Sequence, residues 1–102
     1  MIIRVFRAKV HPGKQPEFEA KVKELSIPLV RSQRGLVAYF SGRPTVSSPD
    51  EFAMVTVWKD TEALRAFAGD DWKASVIPES ERPLLEVSLV HHYEVIDSSI
   101  SR

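Results

Sequence analysis

The chain has 102 residues, room for one core and not two, because domains of roughly 100 to 150 residues are the commonest size. Its 14 Lys and Arg residues balance 14 Asp and Glu residues, so no broad positive field exists to draw nucleic acid or anionic lipid. With no cysteine, disulfides, thiolate nucleophiles, iron–sulfur clusters and cysteine-ligated zinc are excluded, and no run of about 18 apolar residues reads as a membrane span.

Ile2 to Val10 is rich in β-branched and aromatic residues and is broken by His11-Pro12-Gly13, which predicts a first strand and a turn. This start replaces the pattern of a signal sequence, so a cytoplasmic location is expected. From Gln15 the period changes. Phe18, Val22, Leu25 and Leu29 fall on one helical stripe, with Lys14, Glu17, Lys21, Lys23 and Glu24 opposite. Pro28 lies inside this pattern and should kink or shift the helix, and Gly35 suits a left-handed stop. Leu36 to Arg43 and Glu51 to Trp58 read as the second and third strands, joined by the Pro- and Ser-containing loop Pro44 to Asp50. Asp60 or Thr61 can cap a helix over Glu62 to Ala68, with a further turn expected around Trp72 to Val76. Pro78 and Pro83 bracket a charged connection, and Leu85 to Ile96 closes the pattern as a fourth strand.

The order β-α-β-β-α-β predicts an α+β fold of the ferredoxin-like kind: a four-stranded antiparallel sheet with both helices on one face. Residues 1–97 form the single expected domain, and 98–102 a polar tail. A sheet covered on one side should be polar on the other. Here both parities are apolar: Phe52, Met54 and Trp58 against Ala53, Val55 and Val57 in strand three, and Val87, Leu89, Tyr93 and Val95 against Val90 and Ile96 in strand four. A second copy pressed on the bare face is the expected cover, so a homodimer is predicted.

The run Glu51-Phe52-Ala53-Met54-Val55-Thr56-Val57-Trp58-Lys59-Asp60, followed by Ala63-Leu64-Arg65-Ala66-Phe67 and closed by His91-His92-Tyr93-Glu94-Val95, resembles the antibiotic biosynthesis monooxygenase domain family. Lys14 to Phe18 and Arg34-Gly35-Leu36 are similar as well. The resemblance implies a dimeric α+β barrel with a pocket between sheet and helices in each protomer. It also implies oxidation of aromatic polyketides or quinols by dioxygen, with no metal, flavin or other cofactor. The haem-degrading branch uses an Asn, a Trp and a His. The matching positions hold Arg7, Phe67 and Val76 or its neighbour, so the resemblance does not extend to haem degradation.

Candidate catalytic residues are His91, His92 and Tyr93, the most conspicuous polar run in an apolar strand. Alternation puts His91 and Tyr93 on one face and His92 on the other, so they cannot form one metal site, and no metal is expected. One imidazole could serve as a general base; the alternative is a hydrogen-bonded histidine in a strand or dimer seam. Arg7 is a candidate anchor for a phenolate oxygen or the partner of Glu94 or Asp60, since Ile3 and Val5 share its parity. Trp58, Phe67 and Trp72 are candidate walls for a flat ligand, with core packing as the alternative for the tryptophans. No P-loop, dinucleotide-binding turn or nucleophile elbow is present. The function expected is cofactor-independent monooxygenase-like chemistry on a small aromatic or quinol-type molecule; the alternative is a non-catalytic dimeric ligand-binding or sensing module.

Overall fold

A computed structural model describes residues 1–100; Ser101 and Arg102, the end of the expected polar tail, lie outside the described residues. Strand β1 (Ile2–Val10) leads into helix α1 (Gln15–Lys21), which carries a proline in its first turn, where a missing N–H leaves nothing unpaired. The helical run continues through a π-turn (Val22–Ser26) into α2 (Ile27–Arg31). This turn is how the chain absorbs Pro28. The Ile27 N–H reaches back to the Val22 carbonyl in the wider π pattern, and Pro28 then falls in the first turn of α2, so no sharp break is needed.

Strands β2 (Leu36–Gly42) and β3 (Glu51–Trp58) follow, then α3 (Thr61–Ala68), a 3₁₀ turn (Glu79–Leu84) and β4 (Leu85–Glu94). Asp60 caps α3, its carboxylate accepting the Ala63 N–H at 2.8 Å. Gly69 closes the helix at φ 85°. Two expectations need correction. The turn expected around 72–76 forms slightly earlier, over Asp71 to Ala74, where the Ala74 N–H bonds to the Asp71 carbonyl, and the carbonyls of Trp72 and Ala74 accept hydrogen bonds from Arg4. Gly35 is not left-handed; the helical run stops earlier, with the Ser32 N–H on the Pro28 carbonyl. A glycine is needed there for space: a β-carbon at position 35 would collide with that of Ala63 on α3.

All pairings are antiparallel, in the order β2-β3-β1-β4, the ferredoxin-like arrangement. Register fixes two faces. Arg4, Phe6, Ala8 and Val10 of β1 share one side with Phe52, Met54, Thr56 and Trp58 of β3 and with Ser88, Val90 and His92 of β4. The helices pack on this side. Its core joins Ala8, Val10, Phe18, Phe52 and Leu84, with the Phe18 and Phe52 rings tilted at 4.8 Å between centroids. Leu64 and Phe67 of α3 anchor the far end, where Phe67 stacks on buried Trp58 at 4.9 Å. The other side carries Val5, Arg7, Phe40, Val55, Val57, Leu89, His91 and Tyr93, and no helix covers it. Among the described residues, no helix is long and apolar enough to cross a membrane.

Gly35→Ala should destabilise the domain by ~1–3 kcal/mol, the usual range for overpacking a tight contact. Urea denaturation measures it, and an unchanged midpoint would mean that α3 can retreat from the sheet without cost.

Candidate functional site

Register on three adjacent strands assembles the site. Arg4 lies opposite Thr56 on one flank and His92 on the other, so the three side chains form a row on the helix-covered face. The row is polar on a face that is otherwise mostly apolar. Arg4 is only 4% exposed, and its Nη1 donates to the Trp72 carbonyl at 2.6 Å and to His92 Nε2 at 2.9 Å, while Nη2 donates to the Ala74 carbonyl at 2.9 Å. Since a guanidinium has only donors, His92 Nε2 must be an acceptor, which fixes the imidazole as neutral with its proton on Nδ1. Phe67 lies 5.9 Å from the Arg4 guanidinium carbon, and Trp72 meets the His92 ring edge-on at 4.9 Å. Thr56 accepts the Trp58 indole N–H at 2.8 Å and so fixes the ring behind Phe67.

Every acceptor around Arg4 is neutral. Burial pulls its pKa down to about 10, and no carboxylate offsets that cost. Two of its five N–H groups, on Nε and Nη2, are engaged by no described residue. Among the described residues no fully buried side-chain polar atom is left unpartnered, and Arg4 borders open space. That space is a cleft of about 50 Å³ between sheet and helices, with Phe6, Phe18, Val30, Phe52, Met54 and Phe67 among its walls. A benzene ring fits an engineered cavity of roughly 150 Å³, so ring binding requires the walls to part. Ser41, Gly42 and Leu29, exposed at the surface, also line the cleft and give it a mouth.

The cleft holds a second charged type. Glu81, on the 3₁₀ turn, is 3% exposed and accepts a hydrogen bond from the Ser26 hydroxyl at 2.9 Å. Burial holds its carboxyl above the usual range, partly offset by the Ser26 bond and the positive charge of Lys21. No ion pair joins Glu81 to Arg4 among the described residues.

The structure divides the residues expected from the sequence. Phe67 lines the cleft; Trp58 is buried behind it. His92 and Trp72 stand in the layer that holds Arg4, outside the cleft lining. His91, Tyr93 and Arg7 are on the opposite, uncovered face and do not meet them, because odd and even positions of a strand point apart. Arg7 makes no ion pair with Glu94 or Asp60; it is exposed beside Leu89 and Ala53. Arg43 forms a two-pronged pair with Glu19 at 2.8 and 3.0 Å. Sequence reasoning missed Arg4 and Glu81. Arg4 had a usable signal, being the one charge in a parity otherwise filled by Phe6, Ala8 and Val10.

Comparison with known proteins fits this geometry. The family model described as antibiotic biosynthesis monooxygenase matches residues 1–74. The chain belongs to that family. Among solved structures, the haem degrader MhuD of Mycobacterium tuberculosis, with two haems bound in its active site, is 20% identical; the match covers 96% of this chain and 98% of that one, with a TM-score of 0.72. SnoaB of Streptomyces nogalater, a cofactor-independent oxygenase seen as its N63A mutant, is 20% identical over 98% of this chain and 97% of its own, with a TM-score of 0.72. NE2512 of Nitrosomonas europaea, a protein of unknown function, is 16% identical over 99% and 94%, with a TM-score of 0.77. At these identities the likeness establishes the shared fold. A search of the curated proteins finds no match.

The acid side of the stability profile tests the neutral imidazole. His92 is held below its ordinary value of 6.5 by burial first, then by the positive charges of Arg4, His91 and Lys73. Between that lowered value and about 6.5 the unfolded chain binds more protons than the folded one, so this group makes stability rise with pH through the window. Glu81 works in the opposite sense, since its raised pKa makes stability fall as pH rises above about 4.5. Urea unfolding of wild type and His92→Gln, compared from about pH 7 down to about pH 5, isolates the histidine. The wild type should lose stability relative to the variant on acidification; parallel profiles would contradict a neutral, half-buried His92.

Proposed function

We propose that this protein is a cofactor-independent monooxygenase-like enzyme that oxidises a small aromatic or quinol-type molecule, bound as its anion in the cleft between sheet and helices. The observation that carries this reading is Arg4: a buried cation, held only by neutral acceptors, with two donors to spare, in the wall of a mostly apolar cleft. Such a cation is poorly solvated and gains most from an anionic oxygen, since charge-assisted hydrogen bonds are roughly twice as strong as neutral ones. A phenolate or quinolate held there is an electron-rich donor toward dioxygen, and the reaction's electrons come from the substrate itself. When a ring methylene becomes a carbonyl, one oxygen atom enters the product and the other leaves as water with the two hydrogens, so no external reductant is needed.

The chain's residues then divide the work. Arg4 binds and stabilises the anion, Phe67 and its neighbours hold the ring and exclude water, and His92 with the Trp72 and Ala74 carbonyls aims the guanidinium. His92 positions Arg4 in this reading, because its basic nitrogen is already engaged. That engagement also supports a second reading, in which the cleft retains a ligand without turnover. Oxygen-uptake assays with hydroquinones and anthrone-type phenols separate the two. The enzyme reading expects consumption that falls by on the order of 10²–10³-fold in Arg4→Met, the loss typical of a deleted anion-stabilising donor. Tight ligand retention with no oxygen consumed across the series would favour the binding module.

The active form in this reading is a homodimer closed through the bare sheet face into an α+β barrel. Support comes from the exposure there of Phe40 (69%), Tyr93 (53%), Val87 (49%) and Leu89 (49%), flanking Val5, Val55 and Val57. His91 and Arg7 would then lie in the subunit seam. Sedimentation at micromolar concentration should give a dimer for the wild type and a monomer for Val55→Glu, which puts a charge at the centre of the face. A folded wild-type monomer under those conditions would remove the barrel.

A further inference from the structure

Glu81 is the buried titratable group that the proposed chemistry does not use. It sits in the polar segment Glu79-Ser80-Glu81-Arg82, whose other members face water, and it alone turns inward. Its turn is fixed: the Glu81 N–H bonds to the Pro78 carbonyl, and Leu84, three residues on, is buried in the main core. One carboxyl oxygen, Oε2, takes the Ser26 hydroxyl. Oε1 has no partner among the described residues, and Glu81 is one of the residues that line the cleft. Ser26 lines the same cleft, and it lies in the π-turn, whose wider winding sets the helix face that meets Glu81. The cleft wall is therefore apolar except for a guanidinium from β1, the hydroxyls of Thr56, Ser26 and Ser41, and this carboxyl.

We propose that Glu81 is the second recognition group of the cleft: its carboxyl takes a hydroxyl of the ring whose anionic oxygen Arg4 binds. The inference rests on the reading of the cleft as an aromatic-anion site and narrows its ligand class. Ligands are planar molecules with an acidic oxygen for Arg4 and a separate hydroxyl for Glu81, such as quinol monoanions and hydroxylated aryl carboxylates. The two groups come from different elements and form no ion pair with each other, so each keeps its free valence for the ligand. A dianion would be rejected, because a second negative oxygen at Glu81 meets a carboxyl and no cation. A buried hydrogen-bonding group that a ligand leaves unmatched discriminates strongly against that ligand.

The test uses naphthoate and a panel of its monohydroxylated isomers as probes, with calorimetric binding to the full chain. At least one isomer should bind the wild type about tenfold more tightly than naphthoate, as expected for one hydrogen bond to a charged or polarised group. Glu81→Leu should erase that preference, read as the ratio of isomer to naphthoate affinity within each protein, and Glu81→Gln, whose amide can still donate and accept, should keep part of it. Glu81→Met, of matched length, takes the place of the leucine variant if that one does not fold. Isomers that bind the wild type no better than naphthoate, or a preference that survives Glu81→Leu or Glu81→Met, would overturn the role of Glu81 alone. If naphthoate does not bind, or binds Arg4→Met as tightly as wild type, the underlying reading of the cleft falls and takes this inference with it.

Discussion

A single cation without a counter-ion organises this protein. Arg4 is taken almost wholly out of water, and the chain compensates with two backbone carbonyls and an imidazole nitrogen, all neutral. That choice has consequences at each level. The turn over Asp71 to Ala74 is placed so that the carbonyls of Trp72 and Ala74 face inward to the guanidinium. His92 is held in its neutral form with Nε2 as acceptor. Among the described residues no carboxylate pairs with the charge, and Arg4 lines a mostly apolar cleft. A carboxylate placed beside Arg4 would have made a buried ion pair, satisfied and closed. Neutral acceptors orient the guanidinium and leave its attraction for an anion intact.

The sheet supplies the frame for that arrangement because its two faces have different destinies. On the helix-covered face, residues from β3, β1 and β4 line up in register as Thr56, Arg4 and His92, and the rings of Trp58, Phe67 and Trp72 lock them in place. On the bare face the same three strands present aliphatic and aromatic side chains. Adjacent histidines in one strand therefore have opposite roles: His92 touches the site, and His91 belongs to the surface where a second subunit is proposed. The π-turn between α1 and α2 is a third part of the frame. It accommodates Pro28 and brings Ser26 to Glu81, so a feature that looks like a backbone defect helps to hold the cleft's buried acid.

Much of this was legible from residues alone. Runs of β-branched and aromatic residues between turn signals identified the four strands, the 3.6-residue stripe found the long helix, and Asp60 marked the start of α3. The separation of His91 and Tyr93 from His92 followed from the period of a strand. What escaped had physical reasons. Arg7 drew attention because Ile3 and Val5 share its parity, but that parity is the exposed one, and only the packing of the helices decides which face is covered. Arg4 stood among apolar residues in the same way on the other parity. Glu81 was invisible because a charged residue in a short connection between prolines is normally solvated, and its burial depends on a 3₁₀ turn and on Ser26, 55 positions away. The inward facing of the Trp72 and Ala74 carbonyls is likewise a tertiary effect, since they are recruited by a side chain from β1.

The central claim is that the Arg4 guanidinium is charged, oriented and unneutralised, waiting for an anionic ring. Nitrogen-15 NMR of the Arg4 side chain during titration with naphthoate tests it most directly. The account predicts that the Arg4 Nε–H signal moves downfield and that its exchange with water slows as the ligand binds, because a new charge-assisted hydrogen bond forms at that atom. Saturable binding that leaves the Arg4 Nε–H signal and its exchange unchanged would contradict it.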